Sequence, residues 1–240
     1  MKEYTHSEVN VRGVQFKLMT YTRSLKLCAK MNYETENLDF IDKINSGEVL
    51  YDLGACEGRF SLYAATKGIK IVSFEPEEKN FKVLAQNVAL NKFKENQLKI
   101  VNAGVGAKNG VAVLKIGQPW EGGHQKVVDH NQIRNDLDFN FVESQKINLI
   151  SIDSFLESEN NPFPNYLKID VDGSELPFLD GAKKTLVNPK LKGIIFELSE
   201  EDSNFEKILK VLKDINFIEV ERYAVPNEPK LFNIIFKKEN

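Results

Sequence analysis

Residues 49–61 read VLYDLGACEGRFS, and this stretch decides the fold. An apolar run that ends in glycine is typical of a buried parallel strand. Gly54 and Gly58 let the chain turn tightly between this strand, over 49–55, and a helix that we predict over 59–67. In open α/β sheets ligands bind beyond the carboxyl ends of the strands. The stretch therefore predicts a ligand-binding loop.

The alternation of strands and helices continues outward from this loop. It predicts an α/β protein with a doubly wound, mostly parallel, Rossmann-like sheet that ends in an antiparallel C-terminal strand pair. The predicted strands after the first are residues 70–76, 98–106, 110–117, 166–171, 193–199, 217–225 and 231–238, and the clearest helices are 77–91 and 175–187.

The length and composition favour one domain. The chain has 240 residues and a net charge of −3, from 32 Lys and Arg against 35 Asp and Glu. Hydrophobic cores divide only beyond roughly 250–300 residues. We therefore expect a single domain over 1–240, with an N-terminal cover over 1–45 and the α/β core over 46–240. Residues 118–146 are polar and weakly periodic, so we expect a substrate or lid loop there.

The same features exclude several classes of partner. A mildly acidic chain has no general attraction to nucleic acid or to an anionic membrane. The N-terminus has no apolar segment of a secretory signal, and no run approaches 18 apolar residues. Cys28 and Cys56 are not part of a C-x-x-C pair, so both are expected to be reduced thiols of a cytoplasmic protein. The oligomeric state is not readable from the sequence.

Glu75 narrows the choice of ligand. It ends the second strand, 21 residues after Gly54, where a carboxylate can accept hydrogen bonds from both hydroxyls of a ribose. A dinucleotide loop needs G-x-G-x-x-G, with the pyrophosphate at the helix N-terminus. This loop has only G-x-x-x-G and places Glu57 there, where its charge would repel a pyrophosphate. The loop thus favours S-adenosylmethionine over NAD, although Glu57 could instead only cap the helix dipole.

Three blocks resemble FkbM-type S-adenosylmethionine-dependent methyltransferases: DLGACEGRFS (52–61), FEPEEKNFKVLAQNVALN (74–91) and LKIDVDGSELPFLDGA (167–182). The resemblance covers about residues 33–200 and implies the seven-stranded fold of class I methyltransferases. The family usually has Asn and a hydrophobic residue where this chain has Cys56 and Glu57. The resemblance implies that Asp52, Gly54, Ala55 and Gly58 line the methionine part of the cofactor, Glu75 holds the ribose, and Asn102 and Ala103 lie near the adenine, while Tyr33-Glu34 matches an acidic pair of the family. From their positions in and beside these blocks, we also expect the cofactor to be bound by Glu34, Cys56, Glu57, Pro76 and Asp170.

A second acidic cluster follows the strand over 166–171. Asp170 could orient the cofactor or take a proton from a hydroxyl acceptor, and Lys168 from the same strand is a further catalytic candidate. Asp170 and Asp172 could instead hold Mg²⁺. The metal is not favoured, because the pattern matches no dedicated metal motif.

The predicted loop and a late strand add three candidates. His124 is a possible general base, since its pKa range suits that role, or a solvated loop residue. Trp120 could stack on a substrate ring or anchor the loop, and Glu197 could contact substrate or be a solvated strand end.

We therefore expect a methyltransferase, and the resemblance suggests that it methylates a hydroxyl of a small molecule such as a sugar or another natural product. A non-catalytic S-adenosylmethionine-binding module is an alternative from a different class. An NAD-dependent oxidoreductase is a weaker alternative, because the loop lacks the middle glycine.

Overall fold

The strand at the opening motif lies inside a seven-stranded sheet in a computed structural model that describes residues 4–128, 140–158, 160–226 and 228–239. The strands are β1 (His6–Val11), β2 (Val14–Met19), β3 (Val49–Leu53), β4 (Lys70–Phe74), β5 (Leu98–Val101), β6 (Gly104–Val105), β7 (Gly110–Ile116), β8 (Lys126–Val128), β9 (Glu143–Ile150), β10 (Tyr166–Ile169), β11 (Gly193–Ser199), β12 (Phe217–Val225) and β13 (Glu228–Lys238). The helices are α1 (Arg23–Cys28), α2 (Thr35–Asp42), α3 (Arg59–Thr66), α4 (Glu78–Leu90), α5 (Ile152–Glu157), α6 (Glu175–Gly181), α7 (Lys183–Val187) and α8 (Phe205–Asp214).

The large sheet has the strand order β12-β13-β11-β10-β3-β4-β5. Five neighbouring strands, β11, β10, β3, β4 and β5, pair in parallel. Strand β13 is antiparallel to both of its neighbours, so the sheet is mixed and six of its strands run in one direction. The chain order reverses between β3 and β10, which makes the gap beyond these two strands the switch point where ligands bind.

Apolar residues fill both faces of this sheet, because its parallel strands carry helices or the N-terminal hairpin on each side. All five residues of β3 are buried. Tyr51 and Phe74 pack with Phe155 on one face, whereas Leu50 packs with Tyr63 and its neighbours on the other. A central strand buried on both sides explains why its sequence is a continuous apolar run instead of an alternating one.

A second sheet, in the order β6-β9-β7-β8, corrects two of the predictions. The single strand predicted over 98–106 stops at Val101 and resumes at Gly104 in this other sheet. The loop predicted over 118–146 contains β8 and the beginning of β9, while its residues 129–139 lie outside the described part of the chain. One face of these strands packs on an apolar cluster formed by Leu114, Ile116, Val128 and Ile147. Polar residues alternate with these apolar ones along the strands, so the sequence shows no continuous apolar run that would predict a strand.

The N-terminal segment lies against the core. The hairpin β1–β2 is fixed to α4 by side-chain amides, since Asn91 Oδ1 accepts from Lys17 N and Asn87 Oδ1 from Met19 N, both at 2.7 Å. The helix predicted over 175–187 is interrupted at Ala182 and forms α6 and α7. Among the described residues, no helix is both long enough and apolar enough to cross a membrane.

Candidate active site

A cleft opens at the carboxyl ends of β3, β4 and β10. Its empty volume is about 870 Å³, including the part open to solvent, which is in the size range of small-molecule sites. Twelve of the residues singled out from the sequence line it: Glu34, Gly54, Ala55, Cys56, Glu57, Glu75, Pro76, Ala103, His124, Lys168, Asp170 and Asp172.

Gly54 is the point at which two strand ends meet. Its φ is +83°, and a Cβ built on it would lie 1.8 Å from the carbonyl oxygen of Asp170. Both the left-handed backbone and this close approach require a residue without a side chain. Gly54 therefore brings the loop after β3 into contact with the end of β10.

Glu75 is held by the backbone at the end of β4. Its Oε2 accepts a hydrogen bond from Cys56 N at 2.8 Å, and its Oε1 accepts one from Glu77 N at 2.9 Å. Burial raises the pKa of Glu75 to about 7. Each carboxylate oxygen can accept a second hydrogen bond, so the group can still bind ribose hydroxyls while it shapes the loop.

Asn80, which the sequence reading did not select, joins the loop after β3 to residues 122–123. Its side-chain amide donates to Cys56 Sγ at 3.0 Å and to Gly123 O at 3.1 Å, and its Oδ1 accepts from Gly122 N at 2.9 Å. The Asn80 side chain is buried in the wall of the cleft. One side chain thus connects the cofactor loop with the segment that carries His124.

Lys168 lies between two carboxylates because of strand register. Residue 168 in β10 is paired directly with Asp52 in β3, and Asp170 follows two residues later on the same side. The Lys168 Nζ lies 3.3 Å from Asp52 Oδ1 and 3.2 Å from Asp170 Oδ2. Burial lowers the pKa of Lys168, but the two carboxylates outweigh that effect and raise it. The ammonium is therefore a fixed positive charge at the switch point.

Three predicted cofactor residues do not line the cleft: Asp52, Gly58 and Asn102. Asp52 is 1% exposed, and its Oδ2 accepts from Ser61 Oγ at 2.5 Å. Gly58 has a φ of +89° and precedes α3, where a Cβ would meet Leu84 Cδ1 at 2.3 Å. Asn102 Nδ2 donates to Glu75 O at 2.9 Å. These residues shape the loops that line the cleft.

His124 and Trp120 are placed differently. The His124 imidazole lines the cleft and is exposed to it, and the surrounding protein lowers the pKa of His124 by desolvation. Trp120 Nε1 donates to Ser24 Oγ at 2.9 Å, so the indole anchors residues 117–123 to α1. Of the two readings of Trp120, the contacts favour the anchor.

Two basic residues in the cleft wall were also missed in the sequence. Arg59 is 4% exposed, and its Nη2 donates to Glu34 Oε2 at 2.5 Å. Lys126 Nζ lies 3.5 Å from Glu77 Oε2. A basic residue at the start of a helix that follows a glycine loop, as Arg59 is, was the available signal; Lys126 had none.

Glu197 does not line the cleft, but it belongs to the same group of charges. Burial and then the neighbouring carboxylates Asp170 and Glu34 raise its pKa well above the ordinary range. Within the described ranges, no three or more His, Cys, Asp and Glu side chains form a group that could hold a metal ion. Both cysteines are free thiols.

Comparisons with known proteins agree on the fold. The chain is similar to a tRNA m1G37 methyltransferase from M. jannaschii, at 15% identity and a TM-score of 0.52, over 99% of this chain and 58% of that one. It is also similar to a putative tRNA (m1A22) methyltransferase from Streptococcus pneumoniae, at 13% identity and a TM-score of 0.51, over 85% and 70%. The chain is similar as well to a precorrin-6y C5,15-methyltransferase from Geobacter metallireducens, at 11% identity and a TM-score of 0.49, over 100% of this chain and 97% of that one.

The first two of these likenesses show an α/β fold and nothing finer. A search of curated protein sequences found no significant match. The family described as the methyltransferase FkbM domain matches residues 52–219, which include the glycine loop, Glu75 and the strand that carries Lys168 and Asp170. The chain therefore belongs to the methyltransferase FkbM domain family, and it is an S-adenosylmethionine-dependent methyltransferase.

Proposed function

We propose that this protein transfers the methyl group of S-adenosylmethionine to a hydroxyl group of a small molecule. The observation that carries the proposal is the position of Asp170. Its carboxylate lies in the cleft, 3.2 Å from the buried Lys168 ammonium, and its backbone touches the glycine loop at Gly54. A hydroxyl acceptor would have to lose its proton beside the cofactor loop. Asp170 is a carboxylate at that place and can act as the base.

The charges in the cleft suit this cofactor. Five acidic side chains line it, Glu34, Glu57, Glu75, Asp170 and Asp172, against three basic ones, Arg59, Lys126 and Lys168. S-adenosylmethionine carries no phosphate, and its sulfonium gives it a net positive charge. The excess of acid therefore favours it over a phosphorylated nucleotide. When bound, it supplies an activated methyl group.

The residues of the chain would orient the reactants and move one proton. Glu75 would hold the ribose, and the backbone at Gly54 and Ala55 leaves room for close approach of the methionine part. Holding two reactants in line contributes about 7–11 kcal/mol to lowering the barrier. Asp170 would accept the hydroxyl proton, an effect worth about 10²–10⁴-fold in rate. The Lys168 ammonium, 3.2 Å from Asp170 Oδ2, would keep the Asp170 carboxylate oriented.

A small acceptor is favoured over a nucleic acid, even though two of the similar structures are tRNA methyltransferases. A protein that binds a phosphate backbone needs Lys and Arg on the binding surface. The cleft has the opposite balance, with two more acidic than basic side chains in its lining. The cytoplasmic location and the single-domain organisation stay predictions from the sequence, as does the expectation that Mg²⁺ is possible but not favoured.

The acceptor can be found by incubating the protein with S-adenosylmethionine and a library of sugars, phenols and other hydroxylated natural products. Mass spectrometry should detect a product that has gained one methyl group. The Asp170→Asn variant should lose at least about a hundredfold in turnover while it binds S-adenosylhomocysteine as the wild type does. Cofactor binding without any product would contradict the proposal and favour a non-catalytic binding module, whereas full activity of Asp170→Asn would contradict the role of Asp170 as the base.

A further inference from the structure

Helix α1 presents a basic and apolar side to solvent. Its exposed side chains recur every three or four residues, which places them on one side of the helix: Arg23, Lys26, Leu27 and Lys30. The Lys30 N–H donates to Leu27 O at 3.0 Å, so the turn continues past the end of α1. The other side of the helix is buried through Leu25 and Cys28.

Trp120 extends this exposed side. Its Nε1 donates to Ser24 Oγ at 2.9 Å, and Ser24 and Leu27 are three residues apart and therefore neighbours on the helix surface. Trp120 and Leu27 are each 45% exposed, although both are large and apolar. We call the surface formed by these five side chains the α1 face: Arg23, Lys26, Leu27, Lys30 and Trp120.

The cations of the α1 face are not neutralised. Within the ranges that the structure describes, Arg23, Lys26 and Lys30 have no ion-pair partner. Exposed lysines elsewhere do pair with carboxylates, as Lys82 does with Glu78 at 2.6 Å. The chain as a whole has a net charge of −3, so the α1 face is opposite in sign to the rest of the protein.

We propose that the α1 face docks the protein on an anionic membrane surface. Trp120 and Leu27 enter the boundary between the headgroups and the acyl chains, while the three cations contact lipid phosphates. Tryptophan is enriched at that boundary, and the long stems of Lys and Arg cover apolar surface while their charged ends stay in water. Each cation close to an anionic leaflet strengthens binding about fivefold.

Other occupants use less of the α1 face. A second copy of this chain would bring two positive surfaces together across a symmetric interface. A nucleic acid would use the cations but not the exposed aliphatic side chain of Leu27. The net charge of −3 gives the whole chain no attraction to an anionic membrane, so the interaction depends on this one surface.

The α1 face lies next to the cleft. On the buried side of α1, Leu25 packs on Gly122, where a Cβ would lie 2.9 Å from Leu25 Cδ2. His124, two residues after Gly122, lines the cleft. Docking therefore brings the cleft close to the membrane surface, where amphipathic acceptors gather. The α1 face itself contributes no residue to the cleft, so this proposal is independent of the proposed function.

Trp120 supplies the readout, because it is the only tryptophan in the chain. Vesicles of phosphatidylglycerol and phosphatidylcholine in equal parts should shift its fluorescence to shorter wavelength. Bromination of their acyl chains should quench the emission, since the indole enters the boundary. Vesicles of phosphatidylcholine alone should bind at least about tenfold more weakly, and high salt should release the protein from the anionic vesicles.

A pair of triple variants separates this face from general charge. Arg23→Ala/Lys26→Ala/Lys30→Ala should bind the anionic vesicles at least about tenfold more weakly in co-sedimentation. The matched control replaces three exposed lysines of α8, Lys207, Lys210 and Lys213, by alanine and should change binding about twofold at most. All six positions are exposed, so both variants should keep the wild-type midpoint in urea denaturation.

Four results would overturn the proposal. They are no binding to the anionic vesicles, equal losses in the two triple variants, bound protein whose Trp120 is not quenched, and a response of Trp120 to polyuridylic acid but not to vesicles. The last result would assign the α1 face to a nucleic acid. None of these results bears on methyl transfer, which the acceptor screen tests separately.

Discussion

The two halves of the cleft hold their carboxylates in different ways. On the β4 side, Glu75 is 4% exposed, and each of its oxygens accepts a backbone N–H. On the β10 side, the Asp170 side chain is 37% exposed and is held by the side chain of Lys168. The first carboxylate is fixed by backbone N–H groups of the loops after β3 and β4, and the second by an ion pair that leaves it open to the cleft.

This difference indicates that the two carboxylates have different roles. A carboxylate fixed by the backbone suits ligand binding, since its geometry does not depend on neighbouring rotamers. A carboxylate that is accessible and paired with a buried cation suits proton transfer, because an acceptor can reach it. Both halves depend on one contact, the approach of Gly54 to the carbonyl of Asp170.

The most damaging substitution should be Gly54→Ala. The added Cβ would overlap the Asp170 carbonyl oxygen and would also strain a left-handed backbone. We expect the free energy of unfolding to fall by about 4 kcal/mol or more, as measured by urea denaturation. Gly110→Ala is the matched control, because no atom lies within 4 Å of its Cβ, and it should change stability little. If both variants unfold at the same urea concentration, the two halves do not meet as described.

Lys168→Met should be the next most damaging change. It removes the cation and leaves the buried carboxylate of Asp52 next to that of Asp170. Breaking a buried ion pair costs about 3–5 kcal/mol, which urea denaturation can measure. The double variant Asp52→Asn/Lys168→Met should recover part of this loss, because the uncompensated charge is gone.

An exposed lysine provides the control for that experiment. Lys183 is 73% exposed and pairs with Asp180 at 2.9 Å. Exposed pairs contribute about 0–1 kcal/mol, so Lys183→Met should change stability little. Equal losses in Lys168→Met and Lys183→Met would show that the β10 side is not organised around a buried cation.

Glu75 should give the smallest effect, a pH dependence of ligand binding. Ribose hydroxyls donate to the ionised form, and burial raises the pKa of Glu75 to about 7. The affinity for S-adenosylhomocysteine should therefore fall about tenfold per pH unit below this value. Calorimetry at pH 6 and pH 8 would measure the fall, and Glu75→Gln should bind weakly at both pH values with no such dependence.

The raised pKa of Glu75 also makes the stability of the free protein depend on pH, but in the opposite direction: ligand affinity rises with pH, whereas the contribution of Glu75 to stability falls. The native state binds the Glu75 proton more tightly than the unfolded state does, because the pKa of Glu75 is 4.5 in the unfolded chain. This contribution to stability is complete below pH 4.5 and is lost as the pH rises through about 7. The wild type should therefore lose more stability than Glu75→Gln between pH 5 and 8, and an identical pH profile for both would contradict the burial of this carboxylate.

The β4 side was more predictable from the sequence than the rest of the cleft. An acid at the end of the second strand and a glycine loop 21 residues before it are local signals, so Glu75 and Gly54 could be selected directly. Lys168 was also selected, but its position between Asp52 and Asp170 depends on the pairing of strands far apart in the chain. Pairings between distant strands cannot be predicted from a short stretch of sequence.

The wall opposite the glycine loop could not be predicted in the same way. Strand β9 has one buried residue, Ile147, among polar neighbours, and its first residues, 143–146, show no strand pattern and fall in the predicted loop over 118–146. Lys126 lies in the cleft wall because β8 folds back over it. Asn80, in the first turn of α4, binds the backbone of residues 122–123 there. The buried Asp52 side chain accepts a hydrogen bond from Ser61 Oγ, a contact that the sequence does not predict because Ser61 lies on α3 and not on the strand.

A crystal structure of the protein with S-adenosylhomocysteine would test the central claim, that the cleft between these two halves holds the cofactor. The ribose hydroxyls should lie within hydrogen-bond distance of Glu75, and the sulfur should face the side of the cleft that carries Asp170. A ligand bound elsewhere, or one whose ribose does not touch Glu75, would contradict the claim.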